Sequence, residues 1–142
     1  DGASAGTPVV ANCTIYDENG IGGISMSWKN GRVINCLEIT GGVVANCGTA
    51  PVASCYQNCA GDFDRAGATG WIETTVAEAL PNLSKSSNKW CPGAPLVNMG
   101  NTELYLEHAT STVDLQGRKR KCGADIDIGC SEKPLGILIL FK

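Results

Sequence analysis

The chain is poor in the residues that most chemistry needs. It has one histidine and two phenylalanines, and aromatic residues make up only 6% of it. A single imidazole excludes mechanisms built on paired histidines, as in ribonuclease-type chemistry. Long apolar runs are also missing. The longest is Ile137-Leu138-Ile139-Leu140-Phe141, far short of the ~20 residues that span a bilayer, so it reads as a buried strand. Charge is scarce as well: 11 Lys and Arg against 14 Asp and Glu give a net −3. A mildly acidic chain is not a general binder of nucleic acid or anionic membranes.

Cysteine, by contrast, is plentiful. Cys13, Cys36, Cys47, Cys55, Cys59, Cys91, Cys122 and Cys130 are even in number and run through most of a chain that opens on Asp1 without an initiator Met. This pattern predicts a secreted, extracellular protein with its leader removed and its cysteines paired as disulfides. Zinc sites need close pairs such as Cys-x2-Cys. The nearest spacings here, Cys55-x3-Cys59 and Cys122-x7-Cys130, complete no such knuckle, so neither a metal nor a cofactor is expected.

With 18 glycines and few aromatics, the composition suits a turn-rich β protein. Residues 1–8 read as a loose N-terminus and 9–142 as one disulfide-rich β domain. Pro8–Tyr16 is strand-like. Ile24, Met26 and Trp28 alternate with serines, Asn30-Gly31 supplies a type I′ turn, and Arg32–Ile39 returns as the hairpin partner. Val9-Val10-Ala11-Asn12-Cys13 recurs as Val43–Cys47, but one pentamer does not establish a duplication. Residues 48–70 read as irregular, and Trp71–Leu80 as the one helix, ended by Pro81. Thr102–Ala109 and Ala124–Ile128 alternate like strands. The expected fold is mainly β, an antiparallel barrel or sandwich with one short helix, stabilised by disulfides. The alternative is an α+β sandwich with one helix on an antiparallel sheet.

Candidate sites are few. His108 sits beside Glu107, but no Gly-x-Ser-x-Gly or similar motif marks a nucleophile, so a small hydrolase using His108 is the least favoured function. Asp125 and Asp127, like Glu103 and Glu107, share a strand face and read as solvated. The run Arg118-Lys119-Arg120-Lys121 reads as an exposed positive loop that could dock an acidic partner. Trp90, after a polar stretch, could stack on a sugar or fill a partner's pocket. Of two N-glycosylation sequons, Asn82-Leu83-Ser84 is the usable one, since Asn12-Cys13-Thr14 lies in a strand.

In its general build of spread cysteines, many glycines, acidic balance and no catalytic signature, the chain resembles the small cysteine-rich effector and elicitor proteins that plant-pathogenic fungi secrete. The resemblance implies a non-enzymatic protein that binds, or is recognised by, a host receptor or extracellular target and triggers defence or cell death. A glycan is a further candidate partner, and an extracellular carbohydrate-binding, lectin-like module is the alternative function.

Overall fold

A computed structural model describes residues 7–17, 31–41, 52–82 and 91–134. Among these residues seven short strands form two sheets, and every pairing within them is parallel. β1 (Val9–Ala11), β3 (Arg32–Ile34) and β5 (Tyr56–Gln57) make one sheet. The other contains β2 (Thr14–Tyr16), β4 (Leu37–Ile39), β6 (Ala60–Gly61) and β7 (Ile72–Glu73). Each of the first three rungs contributes one strand to each sheet, the fourth gives β7 to the second and only a bridge at Thr69 to the first, and successive rungs stack in register, as in a parallel solenoid.

The corner of each rung explains the pattern. Asn12, Asn35 and Asn58 all have φ of 51°. Asparagine tolerates the left-handed region because its short amide can bond locally, so each bends its strand into the next sheet. A cysteine follows each one. Equivalent Asn and Cys positions lie 23 residues apart, and in the fourth rung Gly70 (φ 64°) and Trp71 take their places.

The antiparallel expectations are therefore corrected, for the barrel, the sandwich and the α+β alternative alike. Pro8–Tyr16 and Arg32–Ile39 are each two strands around a corner. β3 has β1 on one side and β5 on the other, and β4 has β2 and β6. No edge is left for an antiparallel hairpin partner. Its proposed strand 24–28, the segment Val43–Cys47 and the C-terminal run 135–141 lie outside the described residues.

Alternation within the second sheet sorts its faces. Ile15, Glu38 and Gly61 occupy one register line, flanked by Leu37, Ile39, Ala60 and Ile72. Between the sheets, Val33, Cys36, Tyr56 and Cys59 form a buried cluster joined by Val10, Cys13, Ile15 and Trp71. Leu37, Ile39 and Ala60 instead pack with Ala79, Leu80, Leu96 and Ile128. α1 (Val76–Ala79) and a 3₁₀ turn at Ala94–Leu96 thus cover the second sheet. α1 is the C-terminal half of the expected helix. Thr75 and Glu78 form a reciprocal capping box, which fixes its start, while Ile72 and Glu73 pair with β6 instead.

The other expected strands also differ. Thr102–His108 is a helix, α2, capped by the Asn101 side chain, which accepts from Leu104 N. Ala124–Ile128 is irregular. The disulfide-stabilised expectation is overturned too: all seven described cysteines are free thiols. The eighth, Cys47, lies outside the described residues. Three thiols stack at the corners, where Cys13 N donates to Cys36 Sγ at 3.4 Å and Cys36 N to Cys59 Sγ at 3.3 Å. Cys36 and Cys59 are buried and donate to the Ile34 and Val33 carbonyls. They serve as small apolar core residues with a weak donor.

Candidate functional site

The corner asparagines also anchor the C-terminal part of the chain. Asn35 Oδ1 accepts from Asn101 N at 2.8 Å, and its Nδ2 donates to the Asn101 carbonyl at 3.1 Å. Asn12 Nδ2 reaches the Asp127 and Gly129 carbonyls, and Thr14 Oγ1 accepts from Cys130 N. Residues 98–131 are thereby strapped across the rungs, and α2 lies against β1.

On this strap sits the basic run. Asp114 opens a tight turn, its Oδ1 accepting from Gln116 N and Arg118 N, with Gly117 at φ 76° and Val113 bridged to Lys119. The four cations do not form one exposed loop. Arg118 places its Nε 2.8 Å from Asp114 Oδ2. Arg120 is only 5% exposed. Its guanidinium donates to the Gly129 carbonyl at 2.6 Å, lies 3.4 Å from Glu132 Oε1, and sits 5.5 Å above the Tyr105 ring. Lys119 and Lys121 are exposed.

Carboxylates beneath this surface brace it. Asp127 accepts from Asn98 N and Lys133 N. Asp125 accepts from Thr102 N and holds its hydroxyl. The two acids on alternate positions therefore act as separate caps, and Asp127 is buried rather than solvated. Glu132, 1% exposed, accepts from Asp127 N. Burial first, and the Asp127 carboxylate second, push its carboxyl up to about 7. Asp114 is displaced the other way: burial opposes it, but the N–H groups of Glu132 and Arg118, together with the Arg118 side chain, outweigh that and lower it.

Glu132 has a consequence for pH dependence. Its folded value lies above the ~4.3 of an unfolded glutamate. Below that the group is protonated in both states and costs nothing. Between about pH 4.3 and 7 the unfolded state releases the proton first, so stability falls, by about 3–4 kcal/mol in all. Urea unfolding of wild type and Glu132→Gln across this window should show the wild-type slope flattened in the variant. Equal slopes would contradict the assignment. Asp114 acts at lower pH with opposite sign, losing its contribution as acidification protonates it.

Two grooves meet at Ser111 and Arg120. One, of about 210 Å³, lies between α2 and the basic turn, with Tyr105, Leu106 and Ile126 along it and Lys119 and Lys121 beside them. The other, of about 430 Å³, is lined by residues including Asn12, Cys13, Thr14, Asp114 and Cys130. No protein family, curated protein or solved structure matches this chain.

Of the sites expected from sequence, Lys119, Arg120 and Lys121 come together on the first groove, and Arg118 points away to Asp114 and Cys91. His108 ends α2 with Nε2 3.0 Å from Arg32 Nη1; a guanidinium can only donate, so that nitrogen is the acceptor. Asn82 is exposed just beyond α1, whereas Asn12 is buried at its corner. Trp90 lies outside the described residues. Sequence reasoning missed Tyr105, Leu106 and Cys13 as groove residues. Asn101 before Thr102-Glu103 was the available signal for α2, because an Asn cap with an acid in the first turn marks a helix start.

Proposed function

We propose that the chain is a non-enzymatic binding module acting outside the cell, an effector or elicitor recognised by a host protein, and that it takes this partner at the groove beside α2. The observation that carries the reading is the pairing of an apolar floor with two exposed cations. Leu106 is 66% exposed, the buried Tyr105 and Ile126 line the bottom of the groove beside it, and Lys119 and Lys121 flank it. At about 210 Å³, the groove is smaller than the roughly 300–1,000 Å³ of small-molecule sites. It suits one large apolar side chain with acidic neighbours, presented by a protein surface.

Panning a displayed random-peptide library on the immobilised chain tests this. Enriched peptides should carry Phe or Leu flanked by Asp or Glu. Lys119→Glu/Lys121→Glu should bind them about tenfold more weakly, from exposed pairs worth ~0.2–1 kcal/mol each. Enrichment without acidic residues, or unchanged binding by the variant, would overturn the site. Infiltration of wild type and variant into leaf tissue tests the elicitor reading, which requires a cell-death response from wild type that the variant lacks.

A further inference from the structure

The second groove brings a thiol to solvent at the end of a thiol stack. Cys13 is half-buried and lines it, together with Arg120 and Cys130. Behind Cys13 lies Cys36, fully buried, and behind that Cys59. Register places Cys13 and Cys36 side by side, between the pairs Ala11–Ile34 and Thr14–Leu37. Neighbouring strands run ~4.7–4.9 Å apart, and disulfides form across Cα separations of about 4.4–6.8 Å. The two side chains are within hydrogen-bonding reach of each other.

We propose that Cys13 is a modification site for peroxide-class oxidants entering this groove, with Cys36 as its resolving thiol. In the first step the Cys13 thiolate attacks one peroxide oxygen. The O–O bond breaks, Cys13 becomes a sulfenic acid, and the other oxygen leaves as water after taking up a proton. In the second, the Cys36 sulfur attacks the sulfenic sulfur. An S–S bond forms, the S–O bond breaks, and hydroxide departs with the Cys36 proton as a second water. Two thiols lose two electrons and the peroxide gains them.

The surroundings favour this order. The hydrogen bond from Cys36, and then the charge of Arg120, outweigh burial and bring Cys13 down to about 7, so a large fraction is thiolate at neutral pH. Cys36 is held well above its ordinary value, by burial first and by its bonds with Cys13 and Cys59 next. It stays protonated and enters second. Cys130 lines the same groove, but its Sγ lies beside Ser131 Oγ at 3.8 Å.

The test treats the folded, reduced protein with one equivalent of hydrogen peroxide, with and without dimedone, and maps all eight cysteines by mass spectrometry. Wild type should yield a Cys13–Cys36 link, two hydrogens lighter and reversed by dithiothreitol. Cys36→Ala, which keeps a small apolar group in the core but removes the hydrogen bond that favours the Cys13 thiolate, should instead trap dimedone on Cys13 when treated at a pH near the ordinary thiol value of 9.0. That adduct should exceed any on Cys59 by at least tenfold. Cys130→Ser should still form the Cys13–Cys36 link. An unmodified Cys13 beside other oxidised cysteines would overturn the proposal. So would a bond from Cys13 to any other cysteine, or a Cys36→Ala protein that captures no dimedone at Cys13 at that higher pH.

Discussion

Arg65→Ala is expected to destabilise the protein by about 3–5 kcal/mol, the cost of leaving a buried charge without its countercharge. Glu38 projects between the two sheets and is 2% exposed. Arg65 Nη2 lies 3.3 Å from its Oε2, and Tyr56 Oη donates to its Oε1 at 3.1 Å. The guanidinium also stacks 3.9 Å from the Tyr56 ring centroid, with Phe63 and Trp71 slightly farther off, so the substitution removes packing as well as charge. Gly61 leaves room for this arrangement: a Cβ there would sit 2.6 Å from the Trp71 ring. The charge component is separable. Arg65→Ala/Glu38→Gln should recover part of the loss, because a neutral amide costs less to bury than a carboxylate. Urea midpoints of wild type, both single variants and the double variant give the cycle. An Arg65→Ala protein within 1 kcal/mol of wild type would show that the pair does not hold the sheets together.

A second large effect is expected at the middle corner. Asn35→Ala should cost about 3 kcal/mol. Part of this comes from losing the short amide that eases asparagine into the left-handed region, leaving alanine at φ 51°. The rest comes from the bonds to Asn101, since a buried donor without its acceptor costs about 1–3 kcal/mol. Asn35→Gly relieves the backbone but not the bonds, so it should fall between alanine and wild type. If glycine and alanine unfold at the same urea concentration, backbone strain does not decide this corner. If both match wild type, the strap does not depend on Asn35.

These two sites show where sequence reasoning stopped. The apolar segments Val9–Tyr16 and Arg32–Ile39 were legible as β structure, but their corners were not. A period-2 reading passes straight through Asn35-Cys36, because the bend is a backbone event at one residue. The repeat was present as Asn-Cys at 12, 35 and 58, one rung apart. The pentamer at 43–47 drew attention to the wrong spacing. Parallel pairing is invisible to local pattern, since each partner lies a whole rung away, whereas Asn30-Gly31 advertises a local hairpin.

Cysteine count pointed to disulfides because counting cannot distinguish paired thiols from stacked ones. The helix at Val76 was legible from Val76, Ala79 and Leu80 at helical spacing and from Pro81 after them; its expected first half was claimed by β6. Leu104 and Leu106 alternate like a strand, yet the Asn101 cap and packing of Tyr105 in the core make that segment a helix. At the site, the basic run itself was plain, but its division into paired arginines and exposed lysines depends on Asp114 and Glu132, which only the turn and the strap bring near.

The strap also orders the fold in time. Rung neighbours are 23 residues apart, while the bonds from Asn12 and Thr14 to the strap close separations of 115 to 117. Loop-closure entropy makes each long closure about 1.4 kcal/mol dearer than a rung closure. The shortest turn of the coil is the last, where Ala60 meets Ile72. Chain entropy therefore favours nucleation around Tyr56, Gly61 and Trp71, zippering from there toward Val9, and arrival of the strap once the Asn35 and Asn12 corners stand in line to receive it. The groove that holds Cys13 and the groove beside α2 both involve the strap, so both are completed only at the end of folding.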